Sequence, residues 1–415
     1  MRLNRLQLQN FKACRSVDLE LAPLTVLIGA NNAGKSSILH SIALQAQSVP
    51  SNAVVPTGAL VDLGRALDGL VHRVNRADAS VAAEVLLHWS NGSDGVFPMV
   101  VSALHIDARG DASTRVHVGL IVDDDTPATV VAADNRITVN AGPPGGGVTE
   151  EVGASRAGQW AFHPTSVYSQ VPELQAALEQ ATPYLQRFVP EAVQRFRYVG
   201  ANRHVESSVF PLGVGPVPNP RTAQELVDTL AYQDELLERV SQRCQSIFGY
   251  GVDKDLIPRQ QVTLVAKSSG GPRNVVNLGT GFIQTVWLLA QLELALAQPP
   301  TEPWQITPLV GIEEPELHIH PGLQPDIARL LGAFAQAGLD LICTTQSEHL
   351  LLALLSLVLE GELSADQIVV YYLRDGEAER LAVDEQGRIE GGLRGFFEAN
   401  EEQLRRHIEL LKQRG

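Results

Sequence analysis

Residues 29–36 read Gly-Ala-Asn-Asn-Ala-Gly-Lys-Ser, and no other stretch constrains the fold as strongly. They spell GxxxxGK[ST], a loop whose successive N–H groups wrap a triphosphate. Gly29 and Gly34 give the backbone its freedom, and Ala30, Asn31, Asn32 and Ala33 carry the amides between them. Lys35 is placed to reach the outer phosphates of ATP, Ser36 to ligate Mg²⁺, and Ser37 follows as part of the same nucleotide cradle. The flanks agree. Residues 24–28, Leu-Thr-Val-Leu-Ile, read as a buried strand, and residues 37–44 as a helix with an apolar stripe. Strand, loop and helix in that order demand an α/β fold of the phosphate-loop NTPase kind.

The 415 residues suffice for one large domain with inserts or for two domains. A net charge of −15 argues against a strongly cationic nucleic-acid binder, without excluding a local basic patch. Cys14, Cys244 and Cys343 are odd in number and lack CxxC spacing, which points away from disulfides and zinc and towards a reducing cytoplasm. The first eight residues alternate polar and apolar, unlike a signal peptide. No apolar run reaches the ~18–20 residues a membrane span needs. The longest, residues 350–359, reads as a buried helix.

Residues 3–11 alternate and read as an edge strand, and residues 17–21 alternate likewise. Between 81 and about 140, short alternating segments separated by turn clusters predict an antiparallel β subdomain. Residues 141–147, rich in Gly and Pro, read as a loop. Leu174, Ala177, Leu178, Ala181 and Leu185 then fall at helical spacing, as do Leu226, Leu230, Leu237 and Val240. Arg197, Tyr198 and Val199 interrupt this helical stretch as a strand, and 210–220 reads as a loop. The expected organisation is therefore 1–170 with the phosphate loop and β subdomain, 171–255 as a short helical insertion, and 256–415 as the rest of the head. Sustained heptads are absent, so no long coiled-coil arm is expected.

Hydrolysis needs a second, acidic strand. Residues 308–314, Pro-Leu-Val-Gly-Ile-Glu-Glu, provide one that ends in two carboxylates. Neighbouring residues at a strand end point in different directions. Glu313 is assigned to the metal, through water, and Glu314 to the attacking water as base. Residues 277–284, Asn-Leu-Gly-Thr-Gly-Phe-Ile-Gln, lead into a helix expected over 285–297. Gly279, Thr280 and Gly281 there present free N–H groups suited to an anion. His318 and His320 share one face if extended, a spacing compatible with a metal.

Glu313-Glu314-Pro315-Glu316-Leu317-His318-Ile319-His320-Pro321 resembles the acidic strand and following loop of OLD-type and related RecF/SMC-like AAA ATPases, a branch of the ABC-type head fold. Asn10-Phe11-Lys12 is similar to their opening. Residues 197–203 resemble the strand and loop after their inserted helices, residues 344–351 their switch segment, and residues 391–398 the tail of single-domain members. The resemblance implies a homodimer or higher oligomer that sandwiches ATP and Mg²⁺, with Gly279 or Thr280 of one subunit capping the γ-phosphate of the other. The signature serine of many such heads is missing. Gln346 stands where relatives carry histidine; it can position water but cannot titrate near neutral pH.

OLD nucleases carry a metal-dependent nuclease module after the ATPase. Glu360, Glu362 and Asp366 echo its start only superficially and read as a surface turn. Any nuclease or toxin activity is therefore expected from a separate effector protein, gated by the ATP cycle and plausible in defence against phage. Two other readings follow. One is a RecF-like repair ATPase clamping DNA through Arg2, Arg5, Arg15, Arg73 and Arg203. The other is a slow-turnover scaffold. Lys12 is the candidate adenine contact.

Overall fold

Alternating and fully apolar runs together build one large sheet. The computed structural model describes residues 1–390 apart from 49–53, 59, 73–80, 91–98, 108, 123–125, 134–135, 142–147, 155–168, 185–194, 202, 204–206, 269–270 and 303–304. Strands β1 (Arg2–Phe11), β2 (Cys14–Glu20) and β3 (Leu24–Gly29) precede helix α1 (Lys35–Ser48). The antiparallel run is β4 (Ala83–Ser90), β5 (Met99–Ile106), β6 (Ala112–Val122), β7 (Thr126–Ala133), β8 (Arg136–Ala141) and β9 (Val148–Ala154). Helix α2 (Pro172–Pro183) lies on β6, β7 and β8.

The chain then returns through β10 (Phe196–Val199) and β11 (Phe210–Pro211) to α3 (Ala223–Tyr232) and α4 (Asp234–Phe248). Thr222 and Glu225 cap α3 reciprocally, and Gly249 ends α4 in the left-handed conformation. Strands β12 (Gly251–Ile257), β13 (Gln261–Ser268) and β14 (Gly271–Asn274) form a small antiparallel sheet with β11. Helix α5 (Thr280–Leu296), β15 (Leu309–Glu313), α6 (Gln324–Gln336), β16 (Asp340–Thr345), α7 (Glu348–Leu359), β17 (Ile368–Arg374) and β18 (Glu377–Leu381) complete the described head.

The large sheet runs β10-β15-β16-β3-β17-β18-β2-β1-β4-β5-β6-β7-β8-β9. Its first five strands are parallel, with β3 between β16 and β17. Side-chain alternation splits their residues between two cores. Leu24, Val26, Ile28, Val310, Ile312, Leu341 and Cys343 join the core built with α3 to α7. Leu27, Leu309, Ile342 and Tyr371 join the core built with α1 and the antiparallel strands. Strands covered on both faces need near-continuous apolar runs, which is what β3, β15 and β16 have.

Two expectations are corrected. β1 is not an edge strand; it is paired on both sides, with β2 and with β4. Its alternation reports one covered face and carries no information about its neighbours in the sheet. Helix α5 starts at Thr280, five residues earlier than expected, so Thr280 and Gly281 belong to its first turn. Gly281 is needed there because the helix rests on the main chain of the loop after β15; a Cβ would lie 2.4 Å from the His318 carbonyl oxygen. Leu185, the loop over 142–147, Arg73 and the tail at 391–398 lie outside the described residues.

Candidate active site

The phosphate loop leaves β3 at Gly29 and enters α1 at Lys35. Gly29 has φ 145° and Gly34 φ 107°, and a Cβ on Gly29 would sit 2.5 Å from the Leu373 carbonyl oxygen. Only glycine fits both demands there. Asn32 takes φ 65°, which asparagine tolerates better than most residues. The Ala33 N–H closes the turn on the Ala30 carbonyl at 3.2 Å. Lys35 Nζ donates to the carbonyls of Gly29 and Ala30, each at 2.8 Å. Burial lowers the Lys35 pKa, while Glu314, Glu316 and Glu313 oppose that shift.

Asn31, Asn32, Gly34, Lys35, Ser36 and Ser37 line a cavity of about 470 Å³ together with Glu313, Glu314, Gln346, Thr344, Ala201 and Ala13. Residues from the loop, the end of β15 and the end of β16 thus meet, as parallel strands β3, β15 and β16 require. The chain turns sharply after Glu313. Glu314 sits at φ 44°, a left-handed conformation that costs on the order of 1 kcal/mol or more in a non-glycine residue. Surrounding bonds hold it there. The Glu314 N–H donates to the Thr344 carbonyl at 2.9 Å, and Arg203 Nη2 donates to the carbonyls of Glu313 (2.9 Å) and Glu314 (2.7 Å).

The two carboxylates separate as their positions demand. Glu314 Oε1 accepts a hydrogen bond from Gln346 Nε2 at 2.6 Å. Glu313 Oε2 accepts from the Ala201 N–H at 3.3 Å, and its Oε1 is buried with no hydrogen-bond partner. Glu313 and Ser36 line the same cavity, and a carboxylate and a hydroxyl are oxygen donors of the kind a hydrated Mg²⁺ takes.

Glu316 ties the switch segment to this loop. Its Oε1 accepts from Thr345 Oγ1 at 2.6 Å and from the Gln346 N–H at 3.3 Å. Burial pushes its carboxyl above the usual range, and Glu314 adds to that effect. On the other side, Lys12 Nζ lies 2.7 Å from His40 Nδ1, and His40 Nε2 lies 3.0 Å from Tyr198 Oη. Lys12 is thereby engaged with α1. Glu316 and the His40–Tyr198 pair carried no site assignment from sequence, and Arg203 was expected only as a DNA contact. Glu316 was visible in the Glu-Pro-Glu motif, whereas the others become neighbours of Glu313 only through the fold.

Gly279, Thr280 and Gly281 do not line this cavity; they open α5, where Gly281 lies against the His318 main chain. His318 and His320 are exposed, and His320 Nδ1 accepts from the Gly322 N–H at 3.1 Å, capping a single turn. Of the arginines proposed for a basic stripe, Arg73 lies outside the described residues. Arg2, Arg5 and Arg15 pair with Asp340, Asp18 and Glu377, and Arg203 is buried.

Residues 181–353 match the family model described as "AAA domain, putative AbiEii toxin, Type IV TA system", and residues 1–71 match one described as "AAA ATPase domain". An OLD nuclease of Thermus scotoductus is 50% identical over 42 residues, which is 10% of this chain and only 8% of that protein's length. Among solved structures, an SMC head bound to the C-winged helix domain of ScpA superposes with a TM-score of 0.50 at 12% identity. That match covers 93% of this chain and 99% of the other and shows the shared fold.

Proposed function

We propose that the chain is an OLD-like ATPase that binds ATP with Mg²⁺ and hydrolyses it, a reading supported by its matches to two AAA family models and by the head fold it shares with an SMC protein. The carrying observation is the shared cavity, in which Glu314 and Gln346 stand bonded at 2.6 Å across from Lys35 and Ser36. The loop amides and Lys35 bind the phosphates. Ser36 and Glu313 would hold the Mg²⁺, which when bound would neutralise charge on the transferred phosphoryl group. Gln346 orients the attacking water, and Glu314 accepts its proton. The strained turn at Glu314, held by Arg203 and Thr344, fixes that carboxylate before substrate arrives.

Two copies would close on nucleotide, with Gly279, Thr280 and Gly281 of each capping the γ-phosphate of the other. Such a cycle suits the gating of a nuclease or toxin effector in the cytoplasm, in defence against phage. Among the described residues no helix is long and apolar enough to cross a membrane. Of the arginines the DNA-clamping alternative needs, three are paired with carboxylates, one is buried, and Arg73 lies outside the described residues.

The test is steady-state ATP turnover and light-scattering mass, with and without Mg-ATP, on wild type and Glu314→Gln. We expect turnover to fall at least 100-fold in the variant while ATP assembles a stable dimer or larger species. Wild-type turnover in Glu314→Gln would remove Glu314 from the reaction.

A further inference from the structure

Glu313 and Ala201 are also part of the wall of a second cavity, of about 620 Å³, on the β10 side of the site. It is larger than the nucleotide cavity and within the usual size of small-molecule sites, ~300–1,000 Å³. Two arginines from different parts of the chain reach it. Arg203 follows β10 and is 2% exposed; Arg221 precedes α3. Arg203 Nη2 is engaged by the carbonyls of Glu313 and Glu314, but its Nε is buried without a partner. Arg221 Nη1 is buried without a partner as well.

Unpartnered guanidinium N–H groups are costly to bury, and two in one chamber call for an acceptor. Glu313, Glu314 and Glu316 lie near the Arg203 guanidinium and Glu225 near that of Arg221, yet neither orphaned N–H has a hydrogen-bond partner among them. Asp62 accepts from Thr57 Oγ1 and the Gly64 N–H, and Glu313 sits at the wall shared with the phosphate loop. His40 faces the same space, and its pKa is lowered to about 4 by burial and by Lys12, so it is neutral at pH 7. The remaining walls include the rings of Tyr198 and Trp287. Guanidinium forks match phosphate oxygens, and aromatic walls accept an organic substituent.

We propose that this cavity is a second ligand site, separate from the ATP site, that binds a small phosphate monoester through Arg203 Nε and Arg221 Nη1. The site stands on its own geometry and does not require ATP hydrolysis. Arg203 also holds the Glu314 turn, so an occupant drawing on that guanidinium reaches the proposed base directly.

The experiment is isothermal titration of the nucleotide-free full chain with inorganic phosphate, ribose 5-phosphate and AMP. It compares wild type, Lys35→Ala and Arg221→Gln, each checked for folding by circular dichroism. We expect Lys35→Ala to retain a site for AMP or ribose 5-phosphate near wild-type affinity, and Arg221→Gln to weaken that site about tenfold or more. Trp287→Leu should weaken AMP more than inorganic phosphate if the ring wall holds the organic group; equal weakening assigns recognition to the phosphate alone. Loss of all binding in Lys35→Ala, with Arg221→Gln unchanged, would overturn the proposal by placing the anion in the phosphate loop. ATP turnover measured on the same proteins keeps the two readings apart, since a chain that fails to hydrolyse ATP can still show the second site.

Discussion

Gln346 binds Glu314, and Glu316 binds the backbone of Gln346, so the proposed base is positioned through two side chains. Replacing Glu316 by leucine strands the Thr345 hydroxyl and the Gln346 N–H. Each stranded group costs about 1–3 kcal/mol. With two groups stranded, we expect a stability loss of about 2–6 kcal/mol by urea denaturation. ATP affinity should be nearly kept, because Glu316 does not line the nucleotide cavity. Turnover should fall about tenfold or more through misplacement of Gln346; unchanged turnover in a folded variant would sever Glu316 from the switch. At this scale much of the site was legible in sequence. The phosphate loop and the Glu-Glu strand end are contiguous patterns, each shaped by one local task. Arg203 was not legible, because it acts on main-chain carbonyls more than a hundred positions away, and no local pattern records that. Glu316 lay in view, but only the register of β15 against β16 shows what it holds.

Helix α5 shows how an element can be misplaced while its location in the chain is right. The sequence Gly-Thr-Gly reads as a loop because glycine weakens helices by roughly 1 kcal/mol. Tertiary packing overrides that preference: the Phe282 N–H already donates to the Gly279 carbonyl, and Gly281 lies against the His318 backbone. Gly281→Val should therefore be costly despite its better packing volume. The added Cβ meets a carbonyl oxygen on a backbone that also follows Glu316, so neither partner can yield freely. Overpacking of this kind costs typically 1–3 kcal/mol. Gly279, where a Cβ meets nothing within 4 Å, is the control: Gly279→Ala should leave stability within ~0.5 kcal/mol. Equal melting temperatures for both variants would refute the packing argument. β1 carries the same lesson for strands, since its alternation fixed one buried face and left its two strand neighbours undetermined.

Across the whole molecule two buried titrations act against each other. Asp340 begins β16 and receives the Arg2 guanidinium at 2.7 Å, tying the start of the chain to the parallel sheet. Burial raises its pKa to about 6, although Arg2 and the N-terminal ammonium pull it down. The folded state thus prefers the protonated acid, so this group's stabilisation is full below pH ~4 and is lost as pH rises through 6. His40 behaves oppositely. Its pKa is lowered to about 4 by burial and by Lys12, so its stabilisation is full above pH ~6.5 and is lost as pH falls towards 4. Each contributes on the order of 3 kcal/mol across its window, and the windows overlap between pH 4 and 6. Wild-type stability should therefore change less between pH 7.5 and 5 than either variant's. Asp340→Asn removes the acid-side gain and should make stability fall more steeply on acidification. His40→Gln removes the acid-side loss and leaves the Asp340 gain alone, so its stability should rise on acidification. Urea denaturation of the three proteins at pH 5, 6 and 7.5 measures both slopes. Parallel curves would mean that neither group changes its protonation between the folded and unfolded chain.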